Sequence, residues 1–162
     1  MADLTDLFVA LGFKNVRTYV QSGNVVFETS RNDTAKLVSV VEEKLRRTFG
    51  AEIRVVAKSA AEFISIMRKN PLATQHPNEI DKLHVTFLSC TPDKKLLTEL
   101  TMPKAASEQF VIVGSEIFLF LPDGYGRTKL TNNAFEKKLG CGATTRNWKT
   151  VRALAQMTGE QV

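Results

Sequence analysis

The residues best suited to chemistry lie near the end of the 162-residue chain, in two loops rich in glycine and hydroxyl groups, residues 125–131 and 140–148. Between residues 127 and 152 the sequence has seven Lys or Arg and one acidic residue, a local charge of +6 in a protein of net charge +5. Cationic groups beside glycine loops and a helix start suit an oxyanion such as phosphate. The same pattern is also typical of a solvated basic face beside ordinary turns.

We predict that Arg127, Lys129 and Arg146 lie together around one concave anion site. Arginine offers a planar fork for phosphate or carboxylate, and lysine offers a mobile point charge. In the alternative interpretation, Arg146 and Asn147 only cap and orient the last helix, while Trp148 fills the core. The ligand-binding residues predicted in this part of the chain are Arg127, Lys129, Thr144, Thr145, Arg146 and Asn147.

A second candidate is the predicted hairpin turn at residues 21–24. The amide side chains of Gln21 and Asn24 could contact a base or a sugar from the tip of the hairpin. The alternative is an ordinary turn with helpful side chains, which is the more frequent use of such residues.

The two cysteines, Cys90 and Cys141, stand far apart in the sequence and match neither a disulfide framework nor metal-ligand spacing. We therefore expect both to be reduced and structurally dispensable. Cys141 is the only plausible nucleophile, although no histidine is close to it in sequence. The glycine spacings match neither a Walker loop nor a dinucleotide fingerprint. The sequence thus predicts no metal and no cofactor, and it identifies no catalytic residue while leaving catalysis open.

Composition and charge limit the classes to which the protein can belong. With 43% hydrophobic and 24% charged residues, the chain is expected to form a globular core. No apolar run reaches the length of a membrane span, and the first residues do not resemble a secretory signal, so a cytoplasmic location is expected. A net charge of +5 permits a nucleic-acid partner without requiring one.

Hydrophobic periodicity predicts an α+β fold made of duplicated ferredoxin-like halves, each a mainly antiparallel sheet with helices packed on it. The predicted division is a first half at 1–70, a connection at 71–81 and a second half at 82–162. The first half lacks the opening strand of this plan. The predicted strands are at 16–20, 25–29, 53–56, 84–88, 110–113, 116–120 and 144–145. Helices are predicted from residues 4, 34, 59 and 91, around residues 135–139, and from residue 148.

Two segments, GFKNVRTYVQSGNVVF and GRTKLTNNAFEKKLGCGATTRNWKTV, resemble the bacterial family catalogued as domain of unknown function 1697. The resemblance implies a bacterial, cytoplasmic protein and no established activity. It also implies an opening strand and an R-G-I-N-V-G-G loop before the first helix, which the printed sequence does not contain. Because that strand would be central, we expect a second copy to supply pairing, in a homodimer formed through the first half.

The function predicted from these observations is a module that binds a phosphate-bearing ligand, a nucleotide or a nucleic acid, through the C-terminal basic loops. One alternative is an enzyme that acts on a small anionic substrate, positioned by Arg127, Lys129 and Arg146. Another is a protein-interaction module whose basic face binds an acidic partner. No membrane partner is expected.

Overall fold

A computed structural model of the chain describes residues 2–20 and 23–159. It has the α+β class predicted from the sequence, with helices and two antiparallel sheets. A short 3₁₀ turn at Ile80–Lys82 precedes the third strand. The elements are α1 (Ala2–Ala10), β1 (Lys14–Tyr19), β2 (Asn24–Glu28), α2 (Thr34–Phe49), α3 (Ala60–Arg68), α4 (Pro71–Gln75), β3 (Leu83–Leu88), α5 (Lys94–Thr98), β4 (Gln109–Val113), β5 (Glu116–Phe120), α6 (Asn132–Leu139), β6 (Ala143–Asn147) and α7 (Trp148–Met157).

Contacts divide the chain into two compact units. The first unit contains residues 1–64 and 153–162, and the second contains residues 65–152. The predicted division into a first half at 1–70, a connection at 71–81 and a second half at 82–162 stays a prediction.

In the first unit, the β1–β2 hairpin lies with α1 and α2 around one apolar cluster. Helix α2 begins and ends where the sequence predicts. Asp33 Oδ1 accepts the Lys36 N–H at 3.0 Å, and Gly50 ends the helix at a left-handed φ of 69°. The helix buries its apolar stripe in the cluster. The buried members of the cluster are Leu7, Phe8, Phe13, Leu37, Val41 and Leu45.

The strand predicted at residues 53–56 does not form. A strand needs a hydrogen-bonding neighbour, and among the described strands β2 pairs only with β1. The Val55 N–H instead donates to Glu42 Oε1 at 2.8 Å. The described sheet of the first unit therefore has two strands, so the predicted ferredoxin-like duplication is not confirmed.

The second unit holds a four-stranded antiparallel sheet in the order β4-β5-β3-β6. Its elements follow one another as strand, helix, strand, strand, helix, strand, which is the ferredoxin-like sequence of elements. Strand β3 has a neighbour on each side, with Val85 opposite Phe118 in β5 and opposite Arg146 in β6. This explains why β3 is apolar at both ends and buried almost throughout.

Each face of this sheet carries its own apolar side chains, because side chains alternate along a strand. On one face, Phe135 and Leu139 of α6 pack with Ile117 and Leu119 of β5. On the other face, the His76 ring lies 3.6 Å from the Phe120 ring between centroids, at an angle of 6°.

The segment predicted as an irregular connection, residues 71–81, contains α4 and the 3₁₀ turn. Asn70 Oδ1 accepts N–H groups from Leu72 at 3.0 Å and Ala73 at 3.3 Å, and Pro71 occupies the first helical position. Helix α4 has only five residues, too few to display a helical period in the sequence.

Candidate functional site

Strand β6 positions the two basic loops, because it lies between α6 and α7 in the chain. It forms an edge of the four-stranded sheet, and among the described strands it pairs with β3 alone. The Ala143 N–H donates to Glu136 Oε1 of α6 at 2.8 Å. Just before the strand, Gly142 and Ser89 exchange two hydrogen bonds of 2.8 Å, through the Ser89 hydroxyl and the two backbones. The strand is therefore held largely by polar contacts.

The predicted ligand residues of β6 lie on opposite faces of the sheet. Thr145 shares a face with Ala143, which packs against the α6 cluster. Thr144 and Arg146 alternate with it and therefore point to the other face. Consecutive residues of β6 therefore contact different surroundings, on the two faces of the sheet.

Thr145 is the centre of a hydroxyl and amide network. Its hydroxyl donates to Asn132 Oδ1 at 2.6 Å. Because that bond uses its single proton, the Thr86 hydroxyl, at 2.7 Å, must donate to Thr145. The Tyr125 hydroxyl donates to the same oxygen at 3.4 Å and accepts the Asn132 N–H at 3.3 Å. The network therefore ties the loop after β5 to the start of α6 and to β6.

His84 lies beside this network, on the same face of β3 as Thr86. Its ring and the Tyr125 ring are stacked with centroids 5.6 Å apart. Burial lowers the pKa of His84 below its ordinary value, against the opposing effect of the Lys82 carbonyl, which lies 3.2 Å from Nδ1. His84 is therefore held as a neutral imidazole near neutral pH.

Sequence reasoning missed the partners of Thr145. Its neighbours in the network come from β3, the β5–α6 loop and α6, up to 59 residues away. The sequence does contain one indication of this network. Thr86 stands within an apolar strand, and a buried hydroxyl needs a hydrogen-bond partner.

The two basic residues of the β5–α6 loop, Arg127 and Lys129, are exposed. Thr128 between them is buried, and its hydroxyl accepts the Leu130 N–H at 3.0 Å. The Arg127 N–H donates to the Gly124 carbonyl at 3.2 Å. The loop backbone is therefore ordered by its own bonds while the two cationic side chains face solvent.

Arg146 is half-buried, and burial lowers its pKa. Its Nη1 donates to Thr144 Oγ1 at 2.8 Å and to the Thr145 carbonyl at 2.9 Å. These bonds hold the guanidinium against its own strand. The predicted grouping of Arg146 with Arg127 and Lys129 stays a prediction.

Asn147 caps the last helix, as the alternative interpretation held. Its Oδ1 accepts the Thr150 N–H at 2.8 Å, and Trp148 is buried. This bond uses the amide oxygen and leaves the exposed residue able to present its amide nitrogen. Its role in ligand binding stays a prediction.

The hairpin candidates belong to the first unit. Asn24 is buried, and its Nδ2 donates to the Tyr19 carbonyl at 3.2 Å, so it stabilises the turn. Gln21 lies outside the described residues. Ligand binding by these two residues stays a prediction.

The prediction for the cysteines is wrong: Cys90 and Cys141 form a disulfide, with their Cα atoms 5.6 Å apart. The physical reason is the pairing of β3 with β6, which places Leu88 opposite Ala143. The residues just beyond that pair meet, although 51 positions separate them in sequence. Cys141 is also buried in the apolar cluster. With this bond intact it has no thiolate to act as a nucleophile.

A depression of about 310 Å³ lies in the first unit, at the start of α2. Arg31 and Lys36 line it, but the Asp33 carboxylate already caps the helix there. A second anion at this helix start would meet that carboxylate, so the depression is a poor phosphate site.

Two further features are absent from residues 2–20 and 23–159. No group of three or more His, Cys, Asp or Glu side chains in these residues could hold a metal ion. None of the helices formed by these residues combines the length and the apolar character needed to cross a bilayer.

Comparison with known proteins identifies the family. The profile of the family described as "Protein of unknown function (DUF1697)" matches residues 1–118. The chain belongs to this family. The match includes the first of the two segments that carried the resemblance and ends before the second.

A solved structure has the same fold. It is the conserved bacterial protein SP0830 from Streptococcus pneumoniae, similar at a TM-score of 0.74 and 21% identity, over 99% of this chain and 89% of that one. At this identity the similarity establishes the fold alone. No functionally curated protein matches the chain.

Proposed function

We propose that this DUF1697 protein binds a phosphate-bearing ligand, a nucleotide or a nucleic acid, through the loops on either side of α6. The observation that carries the proposal is a set of exposed cations without acidic partners. The exposed cations are Arg127, Lys129, Lys137, Lys138, Lys149 and Arg152. Within the described residues, none of these six side chains has a carboxylate within ion-pair distance.

The β5–α6 loop is suited to present its cations because its backbone is ordered. Thr128 is buried between Arg127 and Lys129, and Tyr125 ties the loop to Thr145. A loop that is ordered before binding loses less conformational entropy on binding. The cost that remains is the ordering of two exposed side chains.

The chemistry of the cations favours phosphate. The Arg127 guanidinium can bind two phosphate oxygens at once, and the Lys129 ammonium can add a point charge.

The charge-reversal variant Arg127→Glu/Lys129→Glu tests this proposal. The matched control is Lys94→Glu/Lys95→Glu, which changes the charge equally at two exposed lysines of the same unit. Binding of a fluorescent single-stranded oligonucleotide, and thermal stabilisation by nucleotides, would be measured for both variants and the wild type. We expect the first variant to lose binding and the control to retain it.

A salt series separates the two ligand classes. If the partner is a nucleic acid, the logarithm of the affinity falls linearly with the logarithm of the salt concentration. Stabilisation by one nucleotide with a weak salt dependence would instead indicate a small-molecule site. Equal loss of binding in the reversal variant and its control would refute a site at this loop.

A cytoplasmic setting is part of the proposal and has its own test. Cytoplasmic reductants keep most protein thiols reduced, so Cys90 and Cys141 would be largely dithiol there. Alkylation of the protein in intact cells, followed by mass spectrometry, would report this state. A fully disulfide-bonded protein in growing cells would contradict a reducing compartment.

A further inference from the structure

The disulfide between Cys90 and Cys141 joins an exposed residue to a buried one. Cys90 lies two residues beyond β3, and its neighbours Ser89 and Thr91 are exposed as it is. Cys141 is 3% exposed and packs among the apolar side chains between the sheet and α6. The two sulfur atoms therefore differ in their access to a dissolved reactant.

This difference decides which sulfur atom a dissolved thiol can attack. A thiolate displaces one sulfur of a disulfide by approaching the other along the S–S axis, from the side opposite the leaving sulfur. Cys90 is exposed and its partner lies inward, so the approach to its sulfur runs from solvent. At Cys141 the same approach is filled by the apolar cluster, which includes Leu88 and Leu139. Exchange with a small thiol is therefore directed to Cys90.

Hydrogen bonds hold the two cysteines together independently of the disulfide. The Ser89 N–H donates to the Gly142 carbonyl, and the Gly142 N–H donates to the Ser89 hydroxyl, each at 2.8 Å. On the other side of Cys141, the Gly140 N–H donates to a carbonyl in the last turn of α6 at 2.9 Å. Opening of the disulfide therefore leaves the Cys141 thiol beside Cys90, at a high effective concentration for a second displacement.

Exposed lysines accompany both cysteines. Residues 90–95 and residues 136–141 each contain two lysines and one acidic residue, so the charge near both cysteines is positive. The Asp93 carboxylate accepts the Lys95 N–H at 2.7 Å at the start of α5. Positive charge raises the local concentration of an anionic reactant. The exposed lysines are Lys94, Lys95, Lys137 and Lys138.

We propose that Cys90 and Cys141 form a thiol–disulfide exchange site, at which a small thiol bearing carboxylates becomes attached to Cys90 and Cys141 acts as the resolving thiol. In the first step the small thiolate bonds to Cys90 Sγ while the bond between the two cysteines breaks. The electron pair of that bond passes to Cys141 Sγ, which takes a proton from water. Cys141 Sγ lies 3.4 Å from the Cys90 carbonyl oxygen, which can accept the new S–H. The proposal is independent of the phosphate-bearing ligand.

The mixed disulfide has two outcomes. Cys141 can lose its proton and attack Cys90 Sγ, which restores the internal disulfide and releases the small thiol. Alternatively, a second small thiolate attacks the sulfur of the attached one, which releases the disulfide of the small molecule and leaves two thiols in the protein. In that second route two small thiols are oxidised and the protein disulfide is reduced, so no further oxidant is required.

The wild-type protein tests the direction of attack. The folded, disulfide-bonded protein would be exposed briefly to reduced glutathione, a thiol that bears carboxylates, and free thiols would then be blocked with N-ethylmaleimide in acidic denaturant before peptide mapping. We expect glutathione on Cys90 and N-ethylmaleimide on Cys141, with the reverse pattern at least about tenfold rarer, because a buried sulfur reacts only after local opening. Glutathione on both residues equally, or a disulfide that opens only in urea, would overturn the proposal.

Removal of free glutathione tests the role of Cys141. In the wild type we expect the mixed disulfide to disappear at a rate independent of protein concentration, because the displacement is intramolecular. Cys141→Ser, loaded at Cys90 with glutathione disulfide, should keep its adduct, and Cys141→Ala serves if the serine variant fails to fold. Cys90→Ser is the matched control and should acquire glutathione at Cys141 at least about tenfold more slowly. Loss of the adduct from both Cys141 variants as fast as from the wild type would refute a resolving role.

Thiols of opposite charge test the class of reactant. Exchange with glutathione and with the cationic thiol cysteamine would be compared at equal thiolate concentration. We expect glutathione to react faster at low salt, and the difference to shrink as salt is added. Lys94→Glu/Lys95→Glu should lose that difference. Faster exchange with cysteamine in the wild type, or an undiminished preference for glutathione in this variant, would overturn the choice of a carboxylate-bearing thiol.

Discussion

Breaking the Cys90–Cys141 disulfide should destabilise the second unit strongly. A cross-link stabilises the folded state mainly by removing conformations from the unfolded chain. For the 51-residue separation of these cysteines the entropy change is about 14 cal/mol/K, which is about 4 kcal/mol at 25 °C. This replaces the sequence-based expectation that either cysteine is dispensable.

The two cysteines differ in what else a substitution would change. Cys90 is exposed, so Cys90→Ser loses the cross-link and little packing. Cys141 is buried among Leu139 and other apolar residues, so Cys141→Ser also buries a hydroxyl. An unpaired buried hydroxyl costs a further ~1–3 kcal/mol. We therefore expect Cys141→Ser to be the less stable of the two.

Urea unfolding with and without a reducing agent measures the effect. Oxidised wild type should exceed reduced wild type by about 4 kcal/mol in unfolding free energy. Cys90→Ser should resemble reduced wild type and should not respond to the reductant, which controls for effects of the reagent itself. Agreement between oxidised and reduced wild type within about 0.5 kcal/mol, well below this expected loss, would refute the reasoning.

Three further substitutions have expected outcomes. Thr145→Val should cost about 1–3 kcal/mol, because it leaves the buried Thr86 hydroxyl without its partner, whereas Thr144→Val, on the other face of β6, should cost less; equal losses in urea unfolding would contradict the network. Because burial holds the folded-state pKa of His84 below its ordinary value, the unfolded chain binds the proton first, so stability should fall as the pH drops below about 6.5. His84→Gln should remove that part of the slope, and an unchanged slope would argue against it. Ser59→Ala should cost about 1 kcal/mol through loss of the N-cap of α3, while Ser39→Ala, within α2, should be nearly neutral in thermal unfolding.

Local patterns in the sequence predicted the elements that local chemistry determines. Helix α2 follows from an N-cap, an apolar stripe and a C-terminal glycine, all within residues 33–50. Residues 59–62 predicted a capping box, and Ser59 and Glu62 form it, with the Ser59 N–H donating to Glu62 Oε2 at 2.8 Å. The β4–β5 hairpin formed around residues 114–115 as predicted. In each case the residues that decide the structure are neighbours in the chain.

The features that the sequence did not predict depend on contacts between residues that are far apart in the sequence. The disulfide and the Thr86–Thr145 bond both depend on the pairing of β3 with β6, which brings together residues 51 and 59 positions apart. The strand predicted at residues 53–56 has strand-forming residues but no described neighbour to pair with. Residue preference alone does not decide a strand, because its hydrogen bonds belong to another segment.

The same long-range contacts determine how firmly the basic loops are held. Strand β6 is polar, and side-chain bonds such as those of Thr145 and Glu136 each contribute about 0.5–1.5 kcal/mol. The disulfide just before the strand contributes more than any one of them, at about 4 kcal/mol. Reduction should therefore lower the free energy of unfolding of the unit that holds β6 and its flanking loops more than the loss of any one of these bonds. Loss of ligand binding on reduction, with Arg127 and Lys129 intact, would show that ordered loops are required as well as positive charge.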